Sequence, residues 1–528
     1  MDAQVMEQTA TPLPKLQLAL TLLIQSTEPI AATVIYPFIP EFVKSTGITK
    51  GDETKTGYYA GVIESCFFVS EALVCVYWGR ASDVVGRRPV LLLGPLGLTL
   101  AMLGFGLSKT FWSLVLFRCF QGTFDGNIGV GRTLMMEITD STNRADALTY
   151  IPIMWSLGIT VGPMVGGLLA DPAQRWPNVA GKLALLREYP YFLPCAAAAL
   201  YSFVVFVAGY LGLKETLPSI VNSKKDRRNL EETESLFSTS TPQTSQCAGA
   251  EHVINPSDTS MIEDTSTSAS GPSPNSKTPL IRPGSQGRRY GSPASDTSVS
   301  SSDNSPAPSP SATNSTTPPY SEIFTPRLRI VLINYCFLNF TDMCYCVLIP
   351  LVYSTSTSPF GGLGFPPHTI GLIMGTFSLV NAFVQMFGLT KVLKKIGPRR
   401  MYQIAYASLF FDFLGLWLVR VMVKWEGGKV TGAVWAVLMV QLGFACLINT
   451  AFNATSLLVV ESAHPRALGV VNGTAQMMAC ITRGLAPMTA SSLFSLSLGK
   501  NIAGGYLVDF VLMGVVVVGI GCSLRLHK

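Results

Sequence analysis

The chain is 528 residues long, 48% hydrophobic and only 13% charged, with a formal net charge of +6. Soluble domains carry about 25% charged residues, so this composition excludes an ordinary water-soluble globular protein and points to lipid as the solvent. The mean hydropathy of +0.37 agrees, and no nucleic-acid partner is expected.

A helix needs about 20 apolar residues to cross the hydrocarbon core of a bilayer. Twelve such stretches follow one another along the chain. The first, near 16–40, is too long for a cleaved leader. It ends in YPFIPEF rather than in small residues, so it is expected to remain as the first span. Spans near 58–78, 90–108, 111–135, 147–169 and 191–213 complete a first set of six. Residues 214–326 then change character: tracts such as SASGPSPNSKTP and SPASDTSVSSSDNSPAPSPSATNSTTPP are rich in Ser, Thr and Pro and nearly free of large apolar groups. Such a segment cannot bury enough surface to offset its ordering entropy and is expected to be a disordered linker, whose Ser-Pro and Thr-Pro pairs offer sites for kinases. A second set of six lies near 328–352, 369–390, 400–422, 431–457, 470–495 and 503–523. The expected division is therefore 1–213, a linker 214–326, and 327–528. The expected fold is an all-α polytopic membrane protein of twelve transmembrane helices in two six-helix halves.

Positive charge alternates between the two sides. Arg80, Arg87, Arg88, Arg144, Lys391, Lys394, Lys395, Arg399, Arg400, Arg466, Arg525 and Lys528 fall on one side; the charges of the other are sparse and mixed. Short loops rich in Lys and Arg stay in the cytoplasm, so both termini and the linker are expected there. Asn314, in the sequon NST, would then lie on the wrong side for glycosylation. Ten of the eleven cysteines fall inside spans and the eleventh, Cys247, in the linker. None forms a CxxC pair or joins a His cluster, so neither a disulfide framework nor a metal cofactor is expected.

The two sets of six look like a duplicated unit. Gln25, Thr27 and Glu28 precede Pro37, as Asn339, Thr341 and Asp342 precede Pro350. The loop DVVGRR at 83–88 is echoed by KKIGPRR at 394–400, with Lys394 standing where Asp83 does.

Charges inside the spans cost at least ~2.5–3.5 kcal/mol each, so they usually face a cavity or a partner. Glu28, Glu64, Glu71, Arg118, Asp125, Arg132, Asp342, Asp412, Arg483 and Asp509 are of this kind. Arg118, Asp125 and Arg132 are spaced by seven and share a helix face, as do Glu64 and Glu71. Arg118 with Asp125 and Glu28 is the expected proton-coupling group, against the plainer reading that Asp125 only neutralises Arg118. Arg132, Glu71, Asp412 and Asp509 are read as lying near the membrane interfaces. Gln25, Tyr36, Gln121, Asn339, Asp342, Tyr345 and Asn449 are the expected substrate contacts.

In the loop WGRASDVVGRR, Gly79 and Gly86 suit tight turns and close approach, and Asp83 suits a helix N-terminus. Arg87 and Arg88 are expected to pair with acids such as Glu137 or Asp140. Gly158, Gly162 and Gly166 recur every fourth residue with Pro163 and Gly167 among them, a small-residue face for close helix packing.

These motifs resemble signatures of the major facilitator superfamily. Gly79, Asp83, Gly86, Arg87 and Arg88 resemble its loop between spans two and three; Leu114, Arg118, Gln121 and Gly122 resemble its span-four signature. The 158–167 series resembles the span-five signature of the twelve-span drug:proton antiporter branch. EPIAATVIYPFIPEF resembles fungal and plant members of that branch, including zinc-induced-facilitator-like proteins. The resemblance implies a monomeric carrier without cofactors. The loop arginines would latch the two halves in one state, the span-five glycines would seal their boundary, and the span-four arginine would tune protonation. Proton-driven export of a small organic solute or drug is the leading expectation, at the plasma or vacuolar membrane. A proton-coupled importer, or a carrier of metal chelates or organic anions, is the alternative within the fold; a transport-dead receptor or scaffold is the alternative outside it. No Walker loop, nucleophile elbow or metalloprotease motif points to an enzyme.

Overall fold

The computed structural model describes residues 11–140, 142–143, 147, 150–222, 231, 323–463 and 468–526. Nearly all of the segment expected to be the linker, including Cys247 and Asn314, lies outside the described residues, as do Arg144 and Arg466. Among the described residues there is no strand.

In the first half the helices of seven residues or more are α1 (Lys15–Thr33), α2 (Ile39–Ser45), α3 (Thr56–Val85), α4 (Arg87–Gly106), α5 (Phe111–Asp125), α6 (Ile128–Glu137), α7 (Tyr150–Leu169) and α8 (Phe192–Gly212). The second half has α9 (Pro326–Ser354), α10 (Pro367–Val384), α11 (Thr390–Ile396), α12 (Pro398–Trp425), α13 (Gly432–Ala445), α14 (Ile448–Ser462), α15 (Leu468–Gly499) and α16 (Leu507–Leu524). Every expected span coincides with a helix or a broken helix pair. Eight helical segments of the described residues are long and apolar enough to cross a membrane by length and composition. The remaining four expected spans lie on α1–α2, α5–α6, α7 and α15; a break interrupts α5–α6, and polar residues dilute the hydropathy of α1 and α15.

Local sequence explains the helix ends. Thr110 caps α5 by accepting from the Ser113 N–H at 3.3 Å, and Thr325 caps α9 by accepting from the Leu328 N–H at 3.2 Å. Gly86 joins α3 to α4 as a single-residue link with φ 114° and ψ 157°; Gly397 joins α11 to α12 with φ 88° and ψ 157°. Both lie in the positive-φ region that a Cβ disfavours. The run expected as one span near 111–135 is broken at Gly126–Asn127 between α5 and α6, and its counterpart is broken at Cys446–Leu447 between α13 and α14.

The halves meet along two seams, α3 against α15 and α7 against α10. One large apolar core runs through both halves, from Ile30 to Leu526. Apolar side chains such as Leu73, Trp112, Leu211 and Trp425 stay exposed on the flanks, as expected where lipid rather than protein covers the surface.

Candidate functional site

Arg118 comes from the middle of α5 and is 0% exposed. Its Nη2 donates to Glu64 Oε2 at 2.9 Å and Oε1 at 3.1 Å, its Nη1 donates to Gln121 Oε1 at 2.6 Å, and its guanidinium lies 4.5 Å from the Phe67 ring centroid. The expected partner was Asp125, two turns further along α5; the structure gives that place to Glu64 on α3. Seven-residue spacing puts Arg118 and Asp125 on one face, but only the crossing of α3 over α5 decides which acid reaches the guanidinium. Gln121, expected as a substrate contact, is committed to Arg118 and, through Nε2, to Met102 Sδ at 3.1 Å.

Asp125 instead sits with Glu28 and Gln25. The three line one small cavity of about 10 Å³ between α1, α4, α5 and α6, together with Asn127 and Gly131. That is room for about one water molecule. Glu28 Oε2, Asp125 Oδ2 and Gln25 Nε2 are all buried without a partner. The expected group of three thus splits into an ion pair, Arg118–Glu64, and a separate pair of carboxyls, Glu28 and Asp125.

A second cluster lies where α3 and α15 meet. Glu71 accepts from the Cys480 thiol at 3.4 Å, Arg132 Nη1 donates to Gln476 Oε1 at 3.3 Å, and Arg483 Nε donates to Asn339 Oδ1 at 2.9 Å. Arg483 also lies 5.6 Å from the Trp155 ring centroid. Glu71, Asp412 and Asp509 are all buried within the protein. Asp509 pairs with Arg420 at 2.6 Å, a partner not anticipated from the sequence, although Arg420 continues the buried stripe of α12 through Leu409, Asp412 and Leu416. Asp412 has neither carboxyl oxygen bonded. Asp342 is half-buried, and the Tyr345 hydroxyl accepts from Gln441 Nε2. Tyr36 is buried in the turn after α1, and Asn449 is half-buried in the first turn of α14.

The loop motif is bonded within its own half. Arg87 pairs with Asp83 at 2.7 Å and Glu137 at 3.1 Å. Arg88 donates to the Tyr210 carbonyl at 2.5 Å. Asp140 accepts from Thr11 and Thr142 rather than from an arginine of this loop. The N-terminus of α4 is capped by Glu215, not by Asp83: its carboxylate accepts from the N–H of Arg87 at 2.8 Å and of Arg88 at 3.0 Å. Burial pushes the Glu215 carboxyl up, but the N–H groups of Leu217, Arg87, Arg88 and Thr216 outweigh it and hold it below the ordinary carboxylate value. Gly86 fits the expected tight turn; Gly79 faces open space and is approached by nothing.

In α7, Gly158, Gly162 and Gly166 do share one face, but that face meets Pro29, Thr33 and Val34 of α1 in the same half. The boundary between halves belongs to the next residue round the helix. Gly167 and the Pro163 carbonyl pack directly on Gly371 of α10. Among the described residues no group of three His, Cys, Asp or Glu could hold a metal ion.

Two helical halves, paired seams and acids kept inside the bundle define an integral membrane transport protein. The chain belongs to the Major Facilitator Superfamily, whose family model matches residues 21–487. It is a transporter of that family and not an enzyme. Among curated relatives it is 29% identical to the major facilitator-type transporter psiT2 of Psilocybe cyanescens, covering 99% of this chain and 92% of the relative. It is 28% identical to the multidrug transporter mfsB of Aspergillus fumigatus, over 93% of this chain and 80% of the relative. Protein ZINC INDUCED FACILITATOR 1 of Arabidopsis thaliana is 24% identical, over 98% of this chain and 93% of the relative. A solved D-xylose-proton symporter shares the fold with a TM-score of 0.61 at 11% identity, covering 98% of each chain.

Proposed function

We propose that the protein exports a small organic solute in exchange for protons, with Glu28 and Asp125 as the proton carriers. The observation that carries this reading is their joint position. Two buried carboxyls line one small cavity and each leaves an oxygen unbonded, while the nearest span-four arginine is held by Glu64. A carboxylate sealed there is costly as an anion, whereas one in contact with water is not. Rocking of the halves would alternate those two conditions and so couple proton binding to the direction in which the site faces. Arg118 acts as a structural neighbour, fixing Glu64 and Gln121 beside the cavity. Solute would be held between the halves by Tyr36, Asn339, Asp342, Tyr345 and Asn449, with Gln25 linking that space to the proton site. The likeness to the multidrug transporter mfsB favours an organic cargo. The loop carrying Arg87 faces the cytoplasm in this reading, and the segment 214–326 tethers the halves there, open to kinases; plasma and vacuolar membranes both suit it.

The test uses full-length protein in sealed vesicles. Glu28→Gln and Asp125→Asn are expected to abolish solute accumulation driven by an imposed pH gradient while exchange of labelled for unlabelled solute continues. Gradient-driven accumulation at the wild-type rate in both variants would remove these residues from proton coupling.

A further inference from the structure

The two glycine links occupy equivalent places in the two halves, yet their surroundings differ. Gly86 and Gly397 have matching backbone geometry, with ψ 157° at both, and each starts a long helix with a pair of arginines in its first turn. In the first half the exposed N–H groups of that turn, on Arg87 and Arg88, are held by the Glu215 carboxylate, and Asp83 lies beside Arg87. Glu215 follows the end of α8 by three residues.

In the second half both acids are gone. Lys394 stands at the place of Asp83, and the position three residues after α16, which matches that of Glu215 after α8, is His527 rather than an acid. The first N–H of α12 to bond back along the helix is that of Met401, to the Gly397 carbonyl at 3.1 Å. Pro398 has no N–H, which leaves those of Arg399 and Arg400 at the open end, with no bond to them from a described residue. Arg399 Nε is also buried and unpartnered. Where Glu215 sits in the first half, the second has a recess of about 440 Å³ lined by Ile396, Gly397, Pro398, Arg399, Arg400 and Gln403. Gln403 Nε2 donates to the Ser523 carbonyl at 2.9 Å and so ties one wall to α16.

We propose that this recess binds the phosphate of an anionic phospholipid headgroup, which takes the place that Glu215 fills in the first half. A helix N-terminus flanked by two guanidinium groups is a phosphate-binding arrangement. Its position selects a membrane lipid rather than a soluble anion. Lys391, Lys394 and Lys395 lie on the adjoining α11, whose Val392 and Ile396 side chains are exposed beside Phe383 and Phe387 of the preceding turns. A ring of lysines above an exposed apolar surface is what a helix presents at the headgroup level of a charged leaflet.

Native mass spectrometry of the full chain with phosphatidic acid or phosphatidylcholine tests the assignment. One phosphatidic acid is expected to stay bound per chain and phosphatidylcholine is not. Arg399→Gln and Arg400→Gln should each weaken retention roughly fivefold, at about 1 kcal/mol per basic residue near a charged surface. Both side chains reach the surface, and melting curves without anionic lipid that match the wild type establish that the variants are folded. Equal retention by the folded variants overturns the proposal. So does stabilisation by inorganic phosphate alone to the same extent as by phosphatidic acid, which would make a free anion the ligand. Lipid binding that emerges only after phosphatase treatment would assign the recess to a phosphate on the chain's own linker and equally overturn it.

Discussion

At the scale of single residues, burial separates ion pairs that matter from those that do not. Lys109–Glu188, with each side chain 55% exposed, is screened by solvent and adds little. Arg118–Glu64 is fully enclosed, and removing one partner leaves an uncompensated charge at a cost of about 3–5 kcal/mol. Arg118→Ala is therefore expected to lower the melting temperature of the purified protein sharply, whereas Lys109→Ala leaves it unchanged. Adding Glu64→Gln to Arg118→Ala should recover part of the loss, because the stranded carboxylate is gone. A double variant no more stable than Arg118→Ala alone would contradict that account. The same pair shows the limit of what was legible. Their place inside apolar spans identified Arg118, Asp125, Glu64 and Glu28 as intramembrane charges, because rarity of charge is a property of the chain itself. Which of them touch depends on the angle at which α3 crosses α5, and no periodicity within one helix contains it.

At the scale of helices, two glycines of the family signatures make opposite predictions. A Cβ on Gly166 would run into the Val34 carbonyl, a backbone atom that has nowhere to go. Gly166→Ala is expected to push α7 off α1 and cost about 1–3 kcal/mol, the usual range for overpacking. Gly79 meets nothing within 4 Å. Gly79→Ala should be neutral or mildly stabilising, because alanine is the better helix former by about 1 kcal/mol. Thermal unfolding of the two variants side by side checks both signs. The four-residue spacing of Gly158, Gly162 and Gly166 did announce a close-packed face. It could not announce that the neighbour is α1, with the inter-half contact left to Gly167. The breaks at Gly126–Asn127 and Cys446–Leu447 were hidden for a similar reason: hydropathy reports length of apolar chain, not where the hydrogen-bond ladder is interrupted.

At the scale of the molecule, the contacts between halves are unevenly distributed along the seams. On α3 they run from Glu53 in the turn before it, through Tyr58 N–H to Ser495, Ser65 to the Met488 N–H and Val69 to Gly484, and reach Glu71 with Cys480. On α10 they involve Pro367, Gly371 and Gly375. The helices therefore close at the end that carries Glu53, and one carboxylate contributes to fastening that end. Glu53 accepts from the Ser356 N–H at 3.0 Å, from the Ser356 hydroxyl at 2.6 Å and from Lys44 Nζ at 2.8 Å, which ties the turn before α3 to the segment after α9. Burial pushes this carboxyl up, yet the bonds from Lys44 and Ser356 outweigh it and hold Glu53 below its ordinary value of 4.5. A group lowered in the folded, closed state contributes stability above its unfolded value and loses it as the pH falls through the folded one. The fastening should accordingly hold at neutral pH and in a medium of about pH 6, and release only below the ordinary carboxylate range. Glu53→Gln keeps the shape but loses the charge that Lys44 and Ser356 bond to, so at neutral pH this end should be as loose as that of the wild type in acid. Hydrogen exchange of the amides in 56–65 and 488–495, corrected for the intrinsic effect of pH, reads the opening directly. Exchange in Glu53→Gln should be faster than in wild type at neutral pH, and the two should converge in acid. Identical exchange at neutral pH would mean that the glycine seam at Gly167 and Gly371, not the carboxylate, keeps this end shut.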